Sequence, residues 1–366
     1  MPIHFIGLIS TRPATELSGG NFFEPANHPI DKAFLRDIAR AHDQGDFDRV
    51  LIGYSAGSPD GFGIASYAAA HTEKLNFLVA HRPGFVAPTL AARTAATLDH
   101  FTQGRIAVHT ITGGSDADQQ RDGDWTEKDA RYQRTDEYLD IVRKTWTSPD
   151  PFDYEGQFYR VKQAFSEVKP FQQPHIPLYF GGSSEPAIQV GAKHADVFML
   201  FGEPVAAIRE RITEVRAAAL PYGRFPEFSV SLRPILGATE TQAWARAHDF
   251  LERIVALRGG QRLATVQPQA VGAQRLLKFA ADGEIHDQRL WTAIAAATGA
   301  GGNSTCLVGT PEQVAESLLS YYEVGVKTIL IRGFEPLQDA IDYGRDLIPL
   351  VRAEVARRDR QSVAVA

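Results

Sequence analysis

The chain has 366 residues, a formal net charge of −6, 44% hydrophobic residues and 22% charged ones. Such proportions suit a globular enzyme with a large core, and mild acidity argues against a nucleic-acid binder, which presents a basic face. One cysteine, Cys306, excludes a disulfide framework or thiolate zinc cluster; the N-terminus lacks a signal peptide's basic start, and no apolar run nears the about 20 residues of a membrane span, so a soluble, cytoplasmic protein is expected.

In chain order, a strand at Phe5–Ile9 precedes a helix at Asp31–Gln44, Arg49–Ile52 precedes Phe62–Ala70, and Leu75–Ala80 precedes Pro88–His100. Strand Ile106–Thr110 is followed by helix Ala130–Thr147, Ile176–Phe180 by Glu185–Lys193, Val197–Phe201 by Pro204–Ala219, and Phe228–Leu236 by Thr241–Leu257. Helix Pro311–Tyr322, an eighth strand at Thr328–Ile331 and a last helix at Leu337–Arg357 complete the chain. Strands that are apolar almost throughout suit burial on both faces. Eight such alternations predict one α/β domain over residues 1–366, a (β/α)8 TIM barrel with insertions after strands 4 and 7. The first insertion is the polar Gly113–Asp129. Phe152–Val161 reads as a hairpin. The second insertion, within Gly259–Ser304, has a short helix near Gln274–Ala281 and the run Gly299-Ala300-Gly301-Gly302-Asn303, and is expected to be a mobile lid. The tail Gln361–Ala366 is expected to fray.

Gly53-Tyr54-Ser55-Ala56-Gly57 matches the G-x-S-x-G nucleophile elbow, but Ser58-Pro59-Asp60-Gly61 intervenes before the helix that an elbow needs at once. Gly299–Gly302 has neither the preceding strand nor the Lys-Ser/Thr of a phosphate loop. The histidines show no metal-ligand spacing, so no metal is expected. Gly181-Gly182-Ser183-Ser184 lies between an apolar strand and the helix opened by Glu185-Pro186. Glycines admit close backbone approach, and a helix N-terminus offers N–H groups to an anion; Ser183 or Ser184 serves equally as a plain N-cap, and the sequence leaves both readings open. His109 and Thr110 end the fourth strand, at the barrel end where active sites form. His81 and Arg82 end the third, Arg12 follows the first, Arg233 lies in the seventh and Arg332 ends the eighth. Several cations on one rim of an acidic protein would form a field for an anionic ligand.

The segments Leu78-Val79-Ala80-His81-Arg82-Pro83 and Ala87–Asp99, then Gly104-Arg105, Thr112–Asp116, Arg131-Tyr132, Pro177–Ser184, Gly202-Glu203-Pro204 and Leu307-Val308-Gly309, resemble the bacterial luciferase-like flavin-dependent monooxygenases in order along nearly the whole chain. The alkanesulfonate monooxygenase branch is the most similar. The resemblance implies a homodimer or homotetramer that takes reduced FMN (FMNH2) from a separate NAD(P)H-dependent FMN reductase and uses O2. Sulfonate members cleave the C–S bond, releasing sulfite and an aldehyde. By the same resemblance, Tyr54, His109, Asp118, Arg131, Tyr132, Gly182, Ser183 and Ser184 bind the cofactor, His109 beside the flavin ring and Ser184 at the phosphate. It also places the Tyr54 loop beside the flavin, which removes the hydrolase elbow.

The sequence departs from the sulfonate branch in four places. An Arg and a His on the seventh strand read Ser231 and Arg233, a Cys of the second loop aligns with Ser58, a Tyr after the eighth strand with Phe334, and a lid Arg is missing near Ala300. The substrate is therefore expected to be a small anionic organosulfur compound, a bulkier sulfonate such as a sulfosugar. Arg12, Arg82, Arg233 and Arg332 are expected to bind it, with Arg233, Arg332 and His81 acting at the reacting centre. Two alternatives stand beside this: an F420-dependent oxidoreductase on the same barrel, and a non-catalytic flavin-binding protein.

Overall fold

A computed structural model describes residues 2–13, 30–264 and 267–365. β1 (His4–Ile9) leads to α1 (Lys32–Gln44), β2 (Arg49–Ile52) to α2 (Gly61–Ala69), and β3 (Asn76–His81) to α3 (Pro88–Phe101). β4 (Ile106–Thr110) is followed by the short α4 (Asp116–Arg121) and the long α5 (Lys128–Thr147). A hairpin of β5 (Phe152–Glu155) and β6 (Arg160–Ala164) precedes β7 (Leu178–Gly181), α6 (Glu185–His194), β8 (Val197–Phe201) and α7 (Val205–Ala219). After β9 (Glu227–Leu236) come α8 (Glu240–Leu257), α9 (Val271–Asp282), β10 (Ile285–His286), β11 (Leu290–Trp291), α10 (Ala293–Thr298), β12 (Cys306–Gly309) and α11 (Pro311–Glu323). β13 (Thr328–Ile331) feeds α12 (Pro336–Asp342), which continues through a π-helical turn at Tyr343–Leu347 into α13 (Ile348–Val365).

The strand order β9-β13-β1-β2-β3-β4-β7-β8, with β8 pairing back onto β9, closes the (β/α)8 barrel that the alternation predicts. β12, β11 and β10 extend from β9 as a side sheet. Contacts divide the chain into two compact units. One comprises Met1–Val50, Met199–Glu214 and Glu227–Ala366; the other comprises Leu51–Phe198 and Val215–Pro226.

In the first unit, β9 pairs with β8 and is also long enough to serve β13 and β12 in succession. Ser229 to Leu232 pair with Thr328 to Ile331 of β13, and Arg233 to Leu236 pair with Cys306 to Gly309 of β12. Arg233 stands at the hand-over. The helices start where sequence chemistry puts them. Asp31 caps α1 by accepting from Phe34 N at 3.0 Å, and Thr310 and Gln313 form a capping box on α11 with Pro311 in its first turn. α13 runs to Val365, and Ala366, the end of the tail expected to fray, lies outside the described residues.

In the second unit, β3, β4 and β7 run parallel, and their alternation sorts side chains between two faces. Val108, Thr110, His81 and Leu178 line a small cavity with Ala91 and Ala95 of α3 and with Tyr138, Val142 and Trp146 of α5. Ala80, His109 and Tyr179, one register row over, face the other way. The β5–β6 hairpin is held by Glu137 of α5, whose carboxylate accepts from the N–H groups of Gln157, Phe158 and Tyr159.

Candidate functional site

Each unit carries its own part of the predicted site. In the second unit, His81 is turned into the helical layer. Its Nε2 lies 2.6 Å from the Tyr138 hydroxyl, its ring meets Phe62, and burial lowers its pKa to about 4. It is a neutral packing group there, set on the face opposite His109. The His109 ring keeps a partly open edge, yet enough protein surrounds it for burial to lower its pKa to about 4 as well. Its Nδ1 is buried without a hydrogen-bond partner.

Arg82 and Asp118, expected to serve substrate and cofactor separately, serve each other. Arg82 is 5% exposed and its Nη2 donates to Asp118 Oδ2 at 2.5 Å, with Asp122 3.9 Å away. The guanidinium lies over the Tyr54 ring, 4.5 Å from its centre. The Tyr54 hydroxyl donates to Asp122 at 3.0 Å, and burial followed by this contact pushes its pKa up to about 12. Asp118 also accepts from Ala56 N at 3.2 Å. The network ties α4 to the loop after β2, and a substrate anion at Arg82 would compete with two carboxylates. Ser55 and Ser58 close that loop on each other: Ser55 N donates to Ser58 Oγ at 2.8 Å, and Ser58 Oγ donates to Ser55 O at 2.7 Å. The helix begins only at Gly61, capped by Asp60, so the G-x-S-x-G stretch forms no elbow.

The loop after β7 has the features of a phosphate cradle. Ser184 is the N-cap of the ten-residue α6, but its side chain makes no capping bond, and its hydroxyl oxygen is buried without a partner. A Cβ on Gly182 would sit 2.5 Å from Ala187 Cβ, so only glycine lets the strand end approach the helix this closely. Tyr132, on the second turn of α5, reaches the same place: its hydroxyl would lie 3.7 Å from that Cβ. Burial raises the Tyr132 pKa, while the Ser184 hydroxyl pulls it back without meeting hydrogen-bond geometry. Arg131 is buried with Nη2 on Asp116 at 2.8 Å and Nη1 on the Thr126 carbonyl at 2.6 Å, an anchor for the loop before α5. An unspent serine hydroxyl, a helix N-terminus and a glycine contact are what a phosphate monoester needs, so these residues fit the phosphate end of FMN.

In the first unit, Arg233 and Arg332 lie side by side, since Leu232 and Ile331 are register partners and each arginine follows its partner. They are 3% and 5% exposed. Arg233 Nε and Arg332 Nη2 both donate to the Asn303 carbonyl, at 3.2 and 3.4 Å. Arg233 Nη1 donates to the Gly333 carbonyl at 3.0 Å, and the guanidinium stacks on Phe334, 4.6 Å from the ring centre. Both cations act on Cys306, whose thiol burial nonetheless pushes up to about 12. Arg12 follows β1 in a loop whose Thr11 carbonyl accepts from Asp31 N at 3.0 Å.

The insertion expected to be a lid is fastened to this unit from α9 onward. Arg275 of α9 makes two 2.6 Å hydrogen bonds to the buried Glu203 carboxylate at the end of β8. Asp287, at the tip of the β10–β11 hairpin, accepts from Val205 N at the start of α7. Residues 265–266 of that insertion lie outside the described residues. Among the described residues one carboxylate–histidine group has metal-ligand spacing, Asp136, Asp140 and His194; the Lys193 ammonium already bridges its two carboxylates at 2.7 and 3.0 Å. No helix among the described residues is long and apolar enough to cross a membrane.

Several solved structures share this barrel. One is riboflavin lyase RcaE with modified FMN and riboflavin, at 20% identity and a TM-score of 0.78, covering 97% of this chain and 92% of that one. DmoA from Hyphomicrobium sulfonivorans is similar at 21% identity and a TM-score of 0.78, covering 97% and 89%. An F420-dependent secondary alcohol dehydrogenase in complex with an F420–acetone adduct is similar at 18% identity and a TM-score of 0.67, covering 96% and 100%. These likenesses speak for the fold. The model of the luciferase-like monooxygenases matches residues 3–328, and the chain belongs to that family.

Proposed function

We propose that this protein is a two-component monooxygenase that takes FMNH2 from a separate NAD(P)H-dependent FMN reductase and, with O2, oxidises a small anionic organosulfonate, with C–S cleavage to sulfite and a carbonyl product. Reduced FMN supplies the electrons that activate O2. The chain's own residues bind, orient and exclude water. Ser184 donates to a phosphate oxygen, Gly182 and Ser183 give the backbone room to approach, and Tyr132 borders the same anion. His109, neutral at working pH, offers its buried Nδ1 to the flavin ring. The Tyr54–Arg82–Asp118 network holds the wall of that pocket.

The observation that carries the substrate assignment is the pair Arg233 and Arg332, two buried guanidiniums converging on one carbonyl. Like charges this close and this buried favour an anion, and the planar fork suits the oxygens of a sulfonate. A bulkier sulfonate, a sulfosugar among them, fits the departures at Ser58, Ser231 and Phe334. The protein is proposed to act as a homodimer or homotetramer in the cytoplasm, with the insertion as a mobile lid. The test is an anaerobic FMNH2 titration, an oxygen pulse and a sulfite assay across a sulfonate panel. Sulfite release from one member supports the reading. Oxygen-independent turnover with F420 would replace it by hydride transfer, favoured by the F420-dependent barrel of the same fold. Flavin binding with no turnover of any panel member would leave a flavin-binding protein.

A further inference from the structure

Asn303 closes the glycine run of the second insertion and does three things at once. Its carbonyl accepts from both Arg233 and Arg332. Its side-chain Oδ1 accepts from Gly202 N, just past β8, at 3.0 Å. Its Nδ2 donates to the Ser231 carbonyl of β9 and lies 3.2 Å from Ser231 Oγ. The residue is 1% exposed and adopts φ +54°, a left-handed conformation that asparagine tolerates. Its peptide therefore cannot turn without losing the contacts to Gly202, just past β8, and to Ser231, within β9. Gly202 makes the arrangement possible, because a Cβ there would meet Thr305 Oγ1 at 2.6 Å and the Ser231 carbonyl at 2.7 Å.

A plain loop-terminating asparagine needs only the side-chain clasp. Here the clasp aims a carbonyl at two guanidiniums on neighbouring strands. A fixed acceptor shared by two planar forks sets the angle between them, and with it the shape of anion both can grip. We infer that Asn303 is the positioning residue of the anion site: its side chain pins the carbonyl that orients Arg233 and Arg332, and so sets which anion the pair accepts. This rests on the proposed anion role of that pair.

The test is calorimetric titration with sulfate and with nitrate, a tetrahedral and a planar anion. It is run on the full chain with FMN saturating, so that the Ser184 loop is filled. Arg233→Met tests the site itself, and its sulfate binding should be lost. Asn303→Gly keeps the left-handed backbone and the carbonyl but drops the clasp. It should bind sulfate about tenfold more weakly, the worth of one charge-assisted hydrogen bond. Its sulfate-over-nitrate preference should fall and its FMN affinity should hold; a merely structural role would lower melting temperature and FMN affinity alike and leave the preference unchanged. Should Asn303→Gly not fold, Ser231→Ala, which removes one contact of the clasp, should weaken sulfate about twofold with the same loss of preference. Sulfate binding lost in Arg233→Met but unchanged in Asn303→Gly or Ser231→Ala overturns the positioning role alone. No sulfate binding by the wild-type protein overturns the anion site and the positioning role together.

Discussion

Ser184→Asp tests the cofactor assignment most directly, because it puts a negative charge where the phosphate is proposed to sit. The hydroxyl it removes is buried and spends no hydrogen bond within the protein, so the loop's own capping loses nothing. Asp is also a good N-cap, which keeps α6 intact. Against a phosphate the substitution acts twice. It removes a donor to a charged group, worth about 1.5–3 kcal/mol. It also adds a like charge at about 4 Å, worth roughly 4 kcal/mol at an effective dielectric of 20. Gly182, Ser183 and Ser184 are only half-buried, so solvent screens much of the second effect. A net loss of about 3 kcal/mol remains, on the order of a hundredfold in affinity. The assay is quenching of FMN fluorescence on titration, repeated anaerobically with FMNH2. Riboflavin, which lacks the phosphate, is the control and should bind wild type and variant alike. An Ser184→Asp variant that binds FMN as tightly as wild type refutes the phosphate role. Equal losses for FMN and riboflavin would mean that the loop had simply been damaged.

Arg233→Met should cut kcat/KM for the anionic substrate at least tenfold while leaving FMN affinity unchanged, and equal turnover by the variant would remove the sulfonate reading. His81→Phe should leave activity intact and cost about 1 kcal/mol, read from urea denaturation, since it only strands the Tyr138 hydroxyl; abolished turnover would return His81 to the reacting centre. Burial lowers His42, His81 and His109 to about 4, below the ordinary 6.5 of the unfolded chain. Between those values the unfolded chain binds more protons, so stability is full above pH 6.5 and is lost as pH falls toward 4. His81→Phe should flatten that loss, and a flat wild-type stability over pH 4–6.5 would contradict the burial of all three. Cleavage by protease within residues 259–264 should slow when flavin and substrate are both bound, whereas α9 through Ser304 should resist in either state; equal rates at 259–264 would count against a lid.

The barrel strands were legible because they are short runs of Val, Ile, Leu, Ala and Phe buried on both faces, and their spacing with helices leaves few topologies. β12 was not, because Cys306-Leu307-Val308-Gly309 has four residues and no period, and it exists as a strand only through its partners, the upper half of β9 and the two-residue β11. The same limit governs the site. The loop at Ser184 could be read from its strand–glycine–helix context. The arginines could not be sorted by sequence, since each merely ends or lies in a strand. What separates them is the company that folding brings. Arg82 meets Asp118, Asp122 and Tyr54 from segments 28 to 40 residues away and becomes a strut. Arg233 and Arg332 meet each other, a carbonyl and an aromatic face. His81 and His109 differ by the strand's two-residue period, which a sequence records but cannot orient without knowing which face is inside. Asn303 left one trace, an asparagine at the end of a glycine run, where a left-handed turn is cheap. Its role comes from strands some 70 and 100 residues earlier in the chain, at Ser231 and Gly202. Residues that act through their partners are therefore the ones a single sequence hides, and Asn303 is the one here whose replacement would show whether the arginine pair is positioned or merely adjacent.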